Sequence, residues 1–239
     1  VGASTRPRAV EGSYMPCFLA GQSQAEVLGA ALHLPVYAFS HQQGHIAASL
    51  WSAGRMDLMD KPHLAWHLSG GTTELLYVTP EGVSVHAEKI GGTTDISAGQ
   101  LIDRTGQLLE LPFPSGKAID ALSREVSGKE RFRVKVHGTS FSLSGVQNKV
   151  QEFFSGGASR ADTAGYALRC LIGAIVEATQ NALKEHPGCD VVFAGGVSSN
   201  TMLRERCKAL PAVFCAPEFS TDNAMGTAIL TWRAHHAGL

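Results

Sequence analysis

Asp190-Val191-Val192-Phe193-Ala194-Gly195-Gly196-Val197-Ser198-Ser199-Asn200 is the stretch on which the fold turns. Asp190 to Ala194 reads as a buried strand, the glycine pair breaks it, and a helix begins near Asn200. At such a junction Gly195 and Gly196 let a flat base or ribose approach the backbone, and the helix N-terminus favours negative charge. A plain tight turn has the same letters. Roughly 125 residues upstream, His63 to Leu68, then Ser69-Gly70-Gly71-Thr72-Thr73, then Glu74 to Val78 read as strand, glycine turn and strand. Backbone N–H groups and hydroxyls in that turn can converge on an anion, although a glycine hairpin without a ligand is equally well formed. A strand–GG–strand hairpin followed by a strand–GG–helix crossing fits a nucleotide-cleft fold. The absence of GxGxxG argues against the dinucleotide-binding fingerprint.

Outward from these two stretches, strands alternate with helices, which is the α/β pattern. A helix is predicted from about Ala20 to Leu34, with Ala25, Val27, Leu28, Ala31 and Leu32 at helical spacing, and Pro35 stops it. Val36 to Phe39 follows as a short buried strand, then a helix from His41 to Gly54. The polar, Pro-containing run Arg55 to Pro62 is the best lobe boundary. This places residues 1–62 with 216–239 in a first lobe and 63–215 in a second. Gly91-Gly92-Thr93-Thr94 repeats the turn chemistry after Val83 to Ile90 and makes a small meander. Helices are expected over Ile96 to Leu109 and Ala118 to Val126, then a charged stretch reaches Lys135. Asp162 to Lys184 is a strong amphipathic helix with Leu168, Leu171, Ile172, Ile175 and Val176 on its core side. Ala224 to His235 forms a last, capped helix.

At 239 residues the chain has ample core, and a net charge of −1 carries no global basic signature. A nucleic-acid substrate therefore needs a local patch or a basic partner. Five scattered cysteines without a CxxC pair fit reduced thiols and a cytoplasmic protein, and argue against a disulfide framework or structural zinc. Neither a membrane span nor a signal-peptide pattern is visible.

His41-Gln42-Gln43-Gly44-His45 puts two imidazoles four residues apart, on one face of a helix, where both can reach one metal ion. Ordinary helical spacing of two histidines is the plain alternative. The zinc-protease motif HExxH shares the spacing, but its general base is a Glu where this chain has neutral Gln42. Asp222, in Thr221-Asp222-Asn223, is either a helix N-cap or a third, oxygen ligand that leaves open coordination positions. Asp103 falls on a helix, where it can accept a hydroxyl or pair with Arg104 or Lys117. Phe141-Ser142-Leu143-Ser144-Gly145 reads as a polar turn.

In their order along the chain HQQGH, SGGTTEL, DISAGQLIDR, FPSGKAID, FSLSG, FAGGVSSN and STDNAMG resemble the tRNA threonylcarbamoyladenosine transferase family, whose older name is O-sialoglycoprotein endopeptidase. The resemblance covers nearly the whole chain. It implies the two-lobed actin/sugar-kinase/Hsp70-like fold, with the first lobe lacking an N-terminal hairpin. It also implies a divalent iron or zinc ion on His41, His45 and Asp222. Threonylcarbamoyl-AMP, or ATP, ADP or AMP, would be held by Leu68, Ser69, Gly70, Gly71, Thr72, Asp103, Gly116 and Asn200, beside the Gly195-Gly196 junction. The implied reaction moves a threonylcarbamoyl group from the adenylate to the exocyclic amine of an adenosine beside the tRNA anticodon. The implied partners are small proteins of the same pathway, with tRNA engaged through their complex and no membrane involved. Departures from the family pattern are Arg6 and Arg8 in place of a Gly-Pro-Gly loop, Thr72, Glu74, Ile96, Gln100 and Gln147. They leave open a non-catalytic, metal- and nucleotide-binding subunit or regulator; a metalloprotease is the weakest alternative because Gln42 is no base.

Overall fold

The structure is a computed structural model and describes residues 1–126, 128–219 and 223–239. Its elements in chain order are β1 (Gly2–Arg6), α1 (Pro16–Leu32), β2 (Tyr37–Ser40), α2 (His41–Ser52), a 3-10 turn (Met56–Asp60), β3 (His63–Leu68), β4 (Thr73–Glu81) and β5 (Ser84–Thr93). They continue with α3 (Ala98–Leu108), α4 (Gly116–Ser123), β6 (Val136–His137), β7 (Ser140–Phe141), α5 (Ser144–Ser155) and α6 (Arg160–Glu185). The chain then runs through β8 (Val191–Ala194), a 3-10 turn (Gly196–Ser199), α7 (Thr201–Arg206), β9 (Ala212–Phe214) and α8 (Met225–His236). Two compact units result: Val1–His63 with Tyr77–Glu88 and Glu218–Leu239, and Leu64–Leu76 with Lys89–Pro217. The sequence pattern grouped all of 63–215. The structure places Tyr77–Glu88 with the first unit because the Gln43 amide donates to Val85 O at 2.9 Å and Arg233 Nε donates to Val83 O at 2.9 Å.

In the first unit β1 and β2 pair in parallel, from Gly2 opposite Tyr37 to Arg6 opposite Ser40, with a bulge between Ser4 and Arg6. Parallel neighbours need a crossover, and α1 supplies it. Pro16 opens α1, and His33 closes it in the left-handed region just ahead of Pro35. Only Ala25 and Gly29 of α1 are buried, so Val27, Leu28 and Leu32, expected on a packed face, stand exposed. Ser40 and Gln43 form a reciprocal capping box at the start of α2. The run Arg55 to Pro62, polar by composition, is a 3-10 turn that buries Leu58 and Met59 almost completely. Asp57 masks that packing in the sequence, since it turns outward to Arg55 and Lys61. Helix α8 packs on α2 so closely that a Cβ on Gly226 would lie 1.8 Å from Gly44 O.

The second unit is built on the sheet order β6-β7-β5-β4-β3-β8-β9, in which β3, β8 and β9 are parallel. Parallel strands covered on both faces read as continuous apolar runs, as β3 and β8 do. Trp66, Phe141 and Phe193 are buried within this unit, and Trp66 Nε1 donates to Thr179 Oγ1 on α6 at 2.9 Å. Leu168, Leu171, Ile172 and Ile175 are buried as predicted, while Val176 is half-buried. Helix α5, which the sequence reading did not separate from the FSLSG turn, buries only Val146 and Val150, too thin an apolar stripe to announce itself. Among the described residues no helix is long and apolar enough to cross a membrane.

Candidate functional site

The two glycine stretches meet within the second unit. His67 pairs with Ala194 in the parallel register of β3 and β8, so the Leu68–Thr72 turn and the Gly195–Asn200 junction leave neighbouring strands at their carboxyl ends. That end of an open parallel sheet is where α/β folds bind ligands. The turn is closed by Ser69 N–H to Thr72 O at 2.8 Å and Thr72 N–H to Ser69 Oγ at 3.0 Å. The first turn of α3 docks against it: Ser97 Oγ donates to Gly70 O at 2.5 Å, and a Cβ on Gly99 would sit 2.5 Å from Gly70 Cα. Gly195 has φ +89°, and a Cβ there would lie 2.3 Å from Leu68 O. These glycines are packing glycines. Gly70, Gly71, Gly116 and Gly196 are different, since a Cβ on any of them would find nothing within 4 Å. The backbone at these four positions faces open space.

Asp103 accepts a hydrogen bond from Ser115 N–H at 2.8 Å, so it fixes the loop that delivers Gly116 to the start of α4. Arg104, one of its sequence-proposed partners, donates instead to Gln147 Oε1 at 2.6 Å. Asn200 has both ends of its amide engaged: Nδ2 donates to Asp120 Oδ1 at 2.8 Å, and Oδ1 caps α7 through Leu203 N–H at 3.0 Å. The sequence reading missed Asp120. Its Oδ1 also accepts from Thr201 N–H and Oγ1, and its Oδ2 from Arg124 at 2.7 Å, so one buried carboxylate ties α4 to α7. The readable signal was Arg124 four residues on, at ion-pair spacing.

Asp95 was also missed. It accepts from Ser142 Oγ at 2.5 Å, Ser144 Oγ at 2.6 Å and Leu143 N–H at 2.8 Å, and so holds the FSLSG turn. Partial burial pushes its carboxyl up, but these hydrogen bonds outweigh that and hold it well below the usual carboxylate range. Several departures have local physical roles. Gln100 completes a capping box with Ser97 at the start of α3. Glu74, almost buried, pairs with Lys89 at 3.2 Å. Gln147 receives the Arg104 guanidinium, where a lysine would repel it. Burial pushes the thiols of Cys170 and Cys207 up, Cys207 to about 11, which disfavours the thiolate at both.

In the first unit His41 and His45 project from successive turns of α2 with their Nε2 atoms 3.0 Å apart. Two nitrogens each about 2.1 Å from one ion lie roughly 3 Å apart when they are adjacent ligands, so the pair fits a shared divalent cation. Phe18 flanks His41 with ring centroids 5.4 Å apart. Among the described residues no group of three His, Cys, Asp or Glu side chains is gathered for a metal, and Asp222 lies outside those residues. The N-cap of α8 is Ala224, and among the described residues Asn223 reaches its first turn, its Oδ1 accepting from Met225 N–H at 3.0 Å. Arg6 and Arg8 flank Pro7, whose carbonyl accepts from Gln42 N–H at 3.0 Å, so their loop adjoins the first turn of α2.

The sequence model of a family described as tRNA N6-adenosine threonylcarbamoyltransferase matches residues 12–229. Proteins of that name from Carboxydothermus hydrogenoformans and Thermus thermophilus are each 33% identical to this chain, over 92% of it and over 68% and 67% of their own lengths. One from Streptococcus suis is 31% identical over 80% of this chain and 57% of its own. Among solved structures, T. kodakarensis HypF superposes with a TM-score of 0.70 at 16% identity, covering 93% of this chain and 40% of HypF. The activator of 2-hydroxyisocaproyl-CoA dehydratase from Clostridium difficile, solved with bound ADPNP, gives 0.53 at 13% identity, covering 92% and 84%. Such likeness speaks to fold alone, and the fold is of the actin/sugar-kinase/Hsp70-like class.

Proposed function

We propose, from the premise that this chain belongs to the tRNA N6-adenosine threonylcarbamoyltransferase family, that it transfers the threonylcarbamoyl group of threonylcarbamoyl-AMP to the N6 amine of an adenosine beside a tRNA anticodon. The amine nitrogen attacks the carbamoyl carbon. A carbon–nitrogen bond forms, the bond to the phosphate oxygen breaks, AMP departs with the electron pair, and the amine sheds a proton. AMP is already a good leaving group, so positioning outweighs acid–base chemistry.

The observation that carries this reading is the meeting of the two glycine stretches at the carboxyl ends of β3 and β8. In it, the open backbone of Gly70, Gly71 and Gly196 lets the adenylate approach closely, with Leu68, Ser69 and Thr72 shaping the turn. Asp103 and Asn200 position Gly116 and the start of α7 around the ligand, through the bonds to Ser115 and Asp120. His41 and His45, joined by Asp222, hold a divalent iron or zinc ion, which suits a mixed nitrogen and oxygen donor set. When bound, that ion would supply Lewis-acid chemistry. The packing of Gly226 on Gly44, between the two histidines in sequence, supports a third ligand from the segment leading into α8. Small partner proteins of the pathway dock on the first unit, a reading supported by the exposed apolar residues of α1. The protein works in the cytoplasm, which suits five cysteines that form no disulfide.

The deciding experiment supplies purified protein and its pathway partners with threonine, bicarbonate, ATP and unmodified tRNA, and reads nucleosides by mass spectrometry. Threonylcarbamoyladenosine is expected. Adenylate binding without modified tRNA would transfer the site to the non-catalytic subunit reading. For the metal, wild type should carry about one divalent ion per chain and His45→Ala less than about a tenth of that, by plasma mass spectrometry. Equal content in both would remove the histidine pair from the metal site.

A further inference from the structure

The near-neutral chain needs a local patch if it is to hold RNA, and one segment provides it. Lys129, Arg131, Arg133 and Lys135 occupy every second position of residues 129–135, with Glu130, Phe132 and Val134 between them. These seven residues hold four of the chain's 20 Lys and Arg and one of its 21 Asp and Glu, so the rest of the molecule is net acidic. The segment has neither helix nor strand structure, all four cations are exposed, and Val134 is buried. The cations recur with a period of two, the spacing that places side chains along one side where a chain is extended.

The segment is fastened along α6 rather than left to wander. Arg169 Nε donates to Glu130 O at 2.8 Å, and Phe132 N–H donates to Cys170 Sγ at 3.2 Å. The Arg131 guanidinium lies over Gly173, 3.1 Å from where a Cβ would be. Arg133 meets Glu177 at 3.3 Å yet keeps 81% of its side chain exposed, and Asn181 Nδ2 donates to Gly138 O at 2.8 Å. Positions 169, 173, 177 and 181 form one ridge of the helix, so the strap follows a rigid rail. A solvated charge run has no need of such anchoring. The ordering cost is met in the free protein, which leaves the cations pre-aligned.

We propose that residues 129–135 form a phosphate-contacting strap on the second unit that holds the backbone of an RNA substrate. The inference rests on the tRNA reading above and adds a location to it. Regular cations on an extended track match a polyanion with regularly spaced charges, and each phosphate contact releases counterions on binding. An acidic protein is the other class of partner, and the test separates the two.

Binding of the purified full-length protein to unmodified tRNA is measured by fluorescence anisotropy between about 0.05 and 0.2 M salt. Lys129→Gln/Arg133→Gln/Lys135→Gln is expected to lose roughly 100-fold in affinity at about 0.1 M salt. Its slope of log affinity against log salt should fall by about 2, at 0.7 per contact with single-stranded phosphates. Lys129→Gln/Lys135→Gln, which keeps the Arg133–Glu177 pair, is expected to lose roughly 25-fold. Both should melt as the wild type does and keep their affinity for AMP. Unchanged affinity and slope in both variants, with wild type binding tRNA, would overturn the strap and leave the transferase reading standing. No tRNA binding by wild type at about 0.05 M salt, alone or with its pathway partners, would overturn both. Wild-type binding to poly-glutamate as tight as to tRNA, lost in the triple variant, would give the strap to an acidic protein and overturn the RNA assignment.

Discussion

Single side chains decide much of this site, and Gln43 shows how. It stands between the two histidines, its Oε1 accepts from Ser40 N–H at 2.8 Å, and its Nε2 donates to Val85 O at 2.9 Å. The side chain is buried, so both halves of the amide are needed. Glutamate would keep the cap but aim a carboxylate at a carbonyl oxygen. Gln43→Glu is therefore expected to lower unfolding free energy by about 2–3 kcal/mol at neutral pH in urea titration. An unchanged midpoint would remove Gln43 as the clasp between α2 and the Tyr77–Glu88 segment. The capping box was legible from Ser40 and Gln43 at the right spacing, whereas the bond to Val85 was not, because 42 residues separate the partners.

At the scale of elements, Asp95 joins three of them: the end of β5, the start of α3 and the turn from β7 into α5. Its carboxyl is held below the usual range in the folded protein, against burial, by hydroxyl and N–H donors. A group with a depressed folded pKa stabilises above its unfolded value, and that contribution is lost as pH falls toward the folded value. Asp95→Asn should thus cost about 1–2 kcal/mol at pH 7, with allowance for solvent screening. The gap between wild type and variant should shrink progressively as pH falls below about 4, in thermal melts across pH. A gap that stayed constant down to pH 2 would assign the loss to shape rather than charge. Sequence carried Asp95 only as the first letter of DISAGQLIDR, beside the departure at Ile96, and FSLSG only as a polar turn; their pairing spans about 48 residues and has no periodic trace.

For the molecule as a whole, ligand binding and stability are linked, and two kinds of glycine separate them. AMP at about 100 times its dissociation constant should stabilise wild type by about 2.7 kcal/mol. Gly195→Ala, with φ +89° and Leu68 O in the way, should cost about 2–4 kcal/mol before any ligand is added. Gly71→Ala meets open space, so its melting temperature should stay near wild type while the AMP shift is reduced. Equal behaviour of the two variants would dissolve the distinction between packing and ligand glycines. Sequence by itself determined the α/β alternation, the helical face of the histidine pair, the two glycine stretches and, through seven ordered motifs, the family. These signals are local, carried by period, punctuation and spacing within a few residues. Only the tertiary structure decided which glycines are filled and which are open. It also decided that Asp95 and Asp120 are positioning carboxylates, that Tyr77–Glu88 belongs with the first unit, and that the segment carrying four alternating cations is fastened to α6. Those facts depend on which distant groups come within hydrogen-bonding reach, and chain neighbours do not record that.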